Sequence, residues 1–221
     1  FFSFPFPSDI RLDAEGYPDL RGYPNPFNVP LVTNMLGIAD DQRGWLMQPV
    51  AWFRFDGDLG LRSGADDTIY LIDLESGERL PATFSVLEAD PYIPEGVLAV
   101  SARPGIILRP ETRHAILVAR AFGDANGEPL GAPANLVSLL DGQSEPGQLT
   151  ELYAPLVASL ESLGLTSGDV AVATVFTTGD PVRALFELSE NVRESHDAQI
   201  EGLMIDPEDG AAHPRFCEIH G

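Results

Sequence analysis

The chain contains one cysteine, Cys217, among its 221 residues, and it contains no lysine. A single cysteine cannot form an internal disulfide, so the fold must depend on its packed core. The 13 basic residues are all arginine and face 34 acidic residues, which gives a formal net charge of -21. This balance argues against nucleic acids and anionic membranes as partners, because both require a basic surface.

Long apolar runs are also missing from the sequence. No segment reaches the roughly 18–20 apolar residues of a membrane-spanning helix, so no membrane insertion is predicted. The chain is long enough for one large domain or two small ones. Its 19 prolines and 21 glycines favour short strands joined by frequent turns over a helical bundle.

Alternating and continuous apolar patterns predict a series of short strands. In residues 50–56, for example, Ala51, Phe53 and Phe55 share one face. The longest candidate, 112–122, leads into the tight-turn dipeptide Asn126-Gly127. The predicted strands are 50–56, 68–74, 79–87, 96–102, 105–108, 112–122, 169–177 and 199–205.

Four segments have the patterns of helices. Residues 149–163 place apolar side chains at helical spacing before Gly164, although Pro155 would kink this helix or shift its start. Asp180 and Pro181 suit the beginning of a helix that runs to about 192. Shorter helices are predicted at 31–39 and 135–140. Before residue 30 the prolines and aromatics predict an extended strap along a folded surface.

These elements predict a mainly β fold, an Ig-like β-sandwich with a helical insertion before the last strand and a helix after it. The predicted division places a Pro- and aromatic-rich N-terminal strap at 1–48. The sandwich follows at 49–178, with its helical insertion at about 134–164. Residues 179–221 are predicted to form a helix and linker toward a further C-terminal domain.

Several short motifs carry a resemblance to a known group of proteins. They are Phe4-Pro5-Phe6-Pro7-Ser8-Asp9, VAWFRFDGDL at 50–59, DLESGER at 73–79, LRPET at 108–112 and VFTTGDP at 175–181. Together they resemble the N-terminal region of bacterial secreted lipase- and esterase-like proteins, in which an Ig-like domain of the S-layer type precedes an α/β-hydrolase domain.

The resemblance implies a secreted or cell-surface protein whose partner is a catalytic domain of the same polypeptide, beyond residue 221. The chain begins with Phe1-Phe2-Ser3 and no methionine, and it ends in the alternating segment 217–221, so it is expected to be a fragment at both ends. The G-x-S-x-G nucleophile elbow of that hydrolase domain is absent from this sequence, so no catalytic residue is carried over. Whether the chain is an enzyme by itself stays open, and the expectation is that it is not.

A calcium site is the strongest metal hypothesis. Asp124, Asn126 and Glu128 lie in a D-x-N-G segment, and Asp56, Asp58, Asp66 and Asp67 are further oxygen donors. Calcium binds roughly six to eight oxygens. The EF-hand spacing fails, because Asn135 occupies the twelfth loop position where a glutamate is needed. An Asx-stabilised turn is the alternative explanation for Asp124 to Gly127.

Other site hypotheses are weaker. His213, Cys217 and His220 have the spacing of zinc ligands but supply one ligand fewer than a tetrahedral site needs. His114 and His196 have no catalytic motif around them, and His114 is predicted to be a half-buried structural residue. Trp45, Trp52, Tyr70 and Tyr92 suit either a carbohydrate-stacking platform or a sandwich core.

The expected function is a non-catalytic accessory module that packs on or orients the catalytic domain of a secreted hydrolase. The alternative is a free-standing cell-surface Ig-like domain for adhesion or ligand binding, stabilised by calcium.

Overall fold

The computed structural model describes residues 1–60, 64–197, 199, 201–205 and 219–220. The chain divides into two compact units, Phe1–Asp180 and Pro181–Gly221. The predicted strap and every predicted strand except 199–205 belong to the first unit.

Two antiparallel sheets form the first unit. Their strands are β1 (Val50–Arg54), β2 (Ile69–Asp73), β3 (Arg79–Leu80), β4 (Ala82–Val86), β5 (Val97–Ala102), β6 (Arg113–Ala119) and β7 (Val170–Thr177). One sheet has the order β1-β5-β4, and the other has the order β3-β2-β6-β7. Every pairing between these seven strands is antiparallel, including that of β7 with β6.

One hydrophobic core contains side chains from both sheets. Strand β1 contributes Ala51 and Phe53, while β6 contributes Ile116 and Val118. These residues alternate along their strands, because successive side chains of a strand point to opposite faces. Leu71, Leu98, Val100, Ala171 and Phe176 belong to the same cluster.

A second core covers the other face of the four-stranded sheet. Helices α2 (Ala134–Leu140) and α3 (Gln148–Leu160) supply it, and Leu156 of α3 packs with Leu117 and Val175 of the sheet. The hydroxyl of Tyr153 donates a hydrogen bond to the carbonyl of Ala173 at 3.0 Å. Strands β6 and β7 are therefore buried on both faces, which explains why their sequences are almost continuously apolar.

Helices α2 and α3 lie in the segment of the predicted helical insertion. Helix α3 continues through Pro155 and then tightens into a 3-10 turn at Glu161–Leu163. Gly164 follows with φ of +71°, a left-handed backbone that glycine adopts at helix ends.

Three strand predictions were wrong in detail. The segment 79–87 is divided at Pro81, because proline cannot donate a hydrogen bond to a β-ladder. The two parts, β3 and β4, belong to different sheets. Strand β6 ends at Ala119, where its register with β7 shifts, and Arg120–Phe122 form a 3-10 turn. Residues 105–108 form no strand.

The N-terminal strap lies along the first sheet before α1 (Pro30–Asp40) begins. Phe6 and Trp52 of β1 exchange backbone hydrogen bonds, from Phe6 N to Trp52 O at 3.3 Å and from Trp52 N to Phe6 O at 2.7 Å. The strap thus adds one bridge to the free edge of β1. Pro30 stands at the start of α1, where its missing N–H is not needed.

The second unit contains α4 (Pro181–Ser195) and a two-stranded pair of β8 (Met204–Ile205) with β9 (Ile219–His220). The predicted strand 199–205 is thus confirmed at its last two residues, and Gln199 lies outside it. Among the described residues, no helix is both long enough and apolar enough to cross a membrane.

Candidate functional site

The predicted calcium residues form a closed turn. The carboxylate of Asp124 accepts hydrogen bonds at Oδ1 from the backbone N–H of Asn126 at 2.9 Å and of Glu128 at 2.8 Å. The bonds from Glu128 and Asn126 hold the pKa of Asp124 below its usual value. The Asx turn weighed as the alternative is therefore present at this position.

This turn is joined to the loop that follows β1. The N–H of Ala125 donates to the carbonyl of Asp58 at 2.9 Å, and the N–H of Gly60 donates to the carbonyl of Gly123 at 3.1 Å. A Cβ added at Gly60 would lie 2.2 Å from the carbonyl oxygen of Asp124. Only glycine therefore allows the two loops to approach so closely.

A cavity of about 530 Å³ opens beside these two loops. Its charged lining comes from Arg54, Asp56, Asp58 and Asp124, and Pro129 to Pro133 form much of the remaining wall. Within the described part of the chain, no three His, Cys, Asp or Glu side chains are grouped to hold a metal ion. Calcium binding at Asp124, Asn126 and Glu128 therefore stays a prediction.

The other predicted metal ligands are dispersed or undescribed. Asp66 and Asp67 lie on the 3-10 turn Ala65–Thr68, which does not line this cavity. His213 and Cys217, two of the three zinc candidates, lie outside the described residues. Of the third, His220, the backbone belongs to β9.

A buried carboxylate, Asp73 at the end of β2, binds neighbouring groups at one end of the four-stranded sheet. Arg109 binds it through two hydrogen bonds, Nε to Oδ2 at 2.6 Å and Nη2 to Oδ1 at 2.8 Å. The N–H groups of Glu75 and Ser76 donate to Oδ1 at 3.0 Å each. Burial alone would raise the pKa of Asp73, but these donors outweigh it and place the pKa well below the usual range.

His114 of β6 lies opposite Asp73 and is fully buried. Its Nδ1 is 2.9 Å from the carbonyl of Thr112, which can only accept, so Nδ1 carries the proton. Nε2 has no hydrogen-bond partner and lies 3.8 Å from Oδ2 of Asp73. Burial lowers the pKa of His114, which keeps the imidazole neutral near pH 7. The predicted half-buried histidine is thus buried completely.

The second described histidine, His196, follows α4. Its Nδ1 lies 2.9 Å from Oγ of Ser195, the geometry of a serine–histidine pair. The Ser195 hydroxyl, however, donates to the carbonyl of Asn191 at 2.6 Å, one helical turn earlier. This back-bonding to the helix explains the position of Ser195 without an activated nucleophile.

Asp9 of the strap forms a long-range contact with Thr177 of β7. The N–H of Thr177 donates to Oδ1 at 2.7 Å, and its hydroxyl donates to Oδ2 at 2.6 Å. Burial raises the pKa of Asp9 above its usual value, and these two bonds offset the effect only in part. The hydroxyl of Thr174 also bonds the carbonyl of Pro7, so the strap is fixed to β7 at two points.

The four aromatic residues considered for carbohydrate binding do not form a platform. Trp45 is buried in the core between the sheets, and Trp52 packs among Phe1, Phe2, Phe6 and Tyr23 of the strap. Tyr70 lies beneath the guanidinium of Arg79, and Tyr92 packs against Phe27. Within the described structure, no ring contact joins two of the four.

Helix α1 carries an apolar stripe that sequence analysis did not single out. Phe27, Leu31, Met35 and Ile38 are 64%, 66%, 60% and 66% exposed, and we name these four residues the α1 face. None of the 11 residues of α1, all of which are described, is buried. The sequence does indicate this uncharged surface, since residues 22–39 contain no charged side chain.

Comparison of the chain with protein-family models, curated proteins and solved structures finds no match.

Proposed function

We propose that this chain is a non-catalytic Ig-like accessory module of a secreted, lipase- or esterase-like bacterial hydrolase. Its role is to pack on and orient a catalytic domain of the same polypeptide. Two kinds of observation support the proposal. One is the sequence resemblance, and the other is that the polar side chains described in the first unit are held in structural contacts.

The strand order supports the Ig-like part of this proposal. An Ig-like sandwich sets strands A, B, E and D against C, F and G, with C′ beside C in some members. Here the strap at Phe6, β1, β5 and β4 follow the order A-B-E-D, and β3, β2, β6 and β7 follow the order C′-C-F-G. Helices α2 and α3 then belong to the chain connection from strand F to strand G.

The single observation that carries the accessory role is the way His114 is held. A general base must bring an accessible ring nitrogen within hydrogen-bond reach of the proton it removes. His114 is fully buried, donates from Nδ1 to a carbonyl, and lies against Asp73, whose carboxylate is bound by Arg109. His114, the one histidine in the sequence of the first unit, therefore has a structural role.

An esterase assay on two proteins tests this function. The full polypeptide that contains this chain should hydrolyse short-chain p-nitrophenyl esters, and residues 1–221 alone should not exceed background. Hydrolysis by residues 1–221 that one substitution abolishes, for example His196→Asn, would show that the chain is itself an enzyme. A full polypeptide with tandem Ig-like repeats and no hydrolase domain would also contradict the proposal.

The cavity beside Asp124 favours a second candidate, a free-standing adhesion or ligand-binding domain stabilised by calcium. Loops at the end of a sandwich are common binding sites, and this cavity combines three carboxylates with one arginine. A ligand that binds only the folded state raises the melting temperature with its concentration. This candidate predicts such a rise with Ca²⁺ that is lost in Asp124→Asn, whereas the accessory module requires none.

A further inference from the structure

We propose that the α1 face is the surface on which the module docks to its catalytic domain, and that the partner presents an uncharged, apolar patch of folded protein there. This inference rests on the proposed function and names the site through which it operates.

The exposed side chains lie on one side of the helix. Leu31, Met35 and Ile38 follow the i, i+4, i+7 spacing, which stacks side chains along one stripe of an α-helix. A helix packed on its own domain turns such a stripe toward the core. In α1 the stripe is turned outward, with each of the three side chains at least 60% exposed.

The stripe is held in place at its N-terminal end. Asn25 closes the turn before the helix, because its Oδ1 accepts from the N–H of Val29 at 2.8 Å and its Nδ2 donates to the carbonyl of Val29 at 3.2 Å. The ring of Phe27 packs edge-on against Tyr92, with centroids 5.6 Å apart. A pre-organised apolar surface loses little conformational entropy when a partner covers it.

The charge pattern indicates the kind of partner. The chain has a net charge of -21, yet residues 22–39 contain no charged side chain. Cores of protein interfaces are depleted in charge and enriched in aromatic residues and methionine, which matches Phe27 and Met35. A second copy is disfavoured, because each copy brings the same negative charge to the contact.

A lipid surface fits less well than a protein surface. Helices that lie on membranes carry lysine and arginine on their polar side. The one charged residue of α1 is Asp40, so the helix has no group that would attract lipid headgroups. The observations therefore favour a protein patch of matching, uncharged character.

Hydrogen exchange of residues 30–40 in the full polypeptide tests the inference. Leu31→Asp and Met35→Asp place a charge on the α1 face, and we expect each to lower the protection of this helix at least about tenfold. Gly37→Asp is the matched control, because it adds the same charge to the same helix at a position where a new Cβ meets nothing within 4 Å. We expect it to leave the protection unchanged.

Four results would overturn the inference. Equal exchange in wild type and both stripe variants, in a polypeptide that does contain a hydrolase domain, would place the docking surface elsewhere and leave the proposed function intact. Binding of the wild-type protein to phosphatidylcholine vesicles that Leu31→Asp abolishes would identify a lipid contact instead. A concentration-dependent dimer that both stripe variants abolish in sedimentation equilibrium would identify a second copy. A polypeptide without any hydrolase domain would reject the proposed function and this inference together.

Discussion

Asp73 and Arg109 form a two-point ion pair in which the carboxylate is almost entirely buried and the guanidinium is half exposed. The side chain of Asp73 is 4% exposed, and that of Arg109 is 54% exposed. The pair joins the turn after β2 to the segment that precedes β6, and it lies beside the buried ring of His114. An ion pair therefore joins two segments at one end of the four-stranded sheet.

The first prediction concerns this carboxylate. Asp73→Asn keeps the size of the side chain but removes the charge that Arg109 binds, so we expect the free energy of unfolding to fall by about 2 kcal/mol. Urea denaturation at pH 7 measures the change. Glu75→Gln is the control, since Glu75 is exposed and lies 3.4 Å from the same guanidinium. Its loss should cost less than about 0.5 kcal/mol. Similar losses of unfolding free energy in both variants would show that the burial of Asp73 does not strengthen its ion pair with Arg109.

The second prediction is a pH dependence that originates at His114. Burial lowers its folded-state pKa below the unfolded value of about 6.5, so the unfolded state binds more protons in that range. Stability should therefore fall as the pH drops below about 6.5, by up to about 1.4 kcal/mol per pH unit. The neighbouring charges oppose one another, because Asp73 and Glu75 raise this pKa and Arg109 lowers it.

Urea midpoints between pH 7 and pH 5 test this origin. His114→Asn retains an N–H donor for the carbonyl of Thr112 and should flatten the pH slope. Leu117→Ala, a buried residue on the same strand, should lower stability at every pH but keep the wild-type slope. A slope that persists unchanged in His114→Asn would assign the effect to another group.

Local sequence patterns predicted most strands and helices because each depends on neighbours a few residues apart. The alternation in 50–56 follows from one buried face of β1, and the continuous apolar runs of β6 and β7 follow from burial on both faces. The amphipathic pattern of α3 predicted a buried side, although it could not reveal which sheet the helix would cover. Pro81 divides the predicted strand 79–87, because proline lacks the backbone N–H that donates to a β-ladder.

The polar contacts could not be predicted, because they join residues far apart in the chain. Asp9 and Thr177 are separated by 168 positions, and nothing near either residue marks the other as its partner. The pairing of Arg109 with Asp73 likewise crosses from one loop to another. The Asp124 turn was recognisable, since an Asx turn depends on the residues that immediately follow.

The third prediction tests the helical layer. Leu156 of α3 is fully buried against the four-stranded sheet, so Leu156→Ala should lower the free energy of unfolding by about 3 kcal/mol through lost burial and a new cavity. Leu149 of the same helix is 41% exposed, and Leu149→Ala should cost less than about 1 kcal/mol. Thermal or urea unfolding compares the two. Equal, small losses would mean that α3 does not contribute to the core of this unit.

The last prediction concerns Asp9, whose pKa moves in the opposite direction from that of Asp73. Burial raises the folded-state pKa of Asp9 above its unfolded value, so the folded state binds a proton more readily as the pH falls. The stability of wild type relative to Asp9→Asn should therefore increase between pH 6 and pH 4, and the subtraction removes the contribution of His114. Asp19→Asn in the same strap is the control, because Arg21 lowers the folded-state pKa of Asp19 to about 2. The wild-type advantage over this variant should therefore not increase on acidification. A wild-type advantage over Asp9→Asn that shrinks on acidification would show that the charged carboxylate, rather than its hydrogen-bonded shape, holds the strap to Thr177.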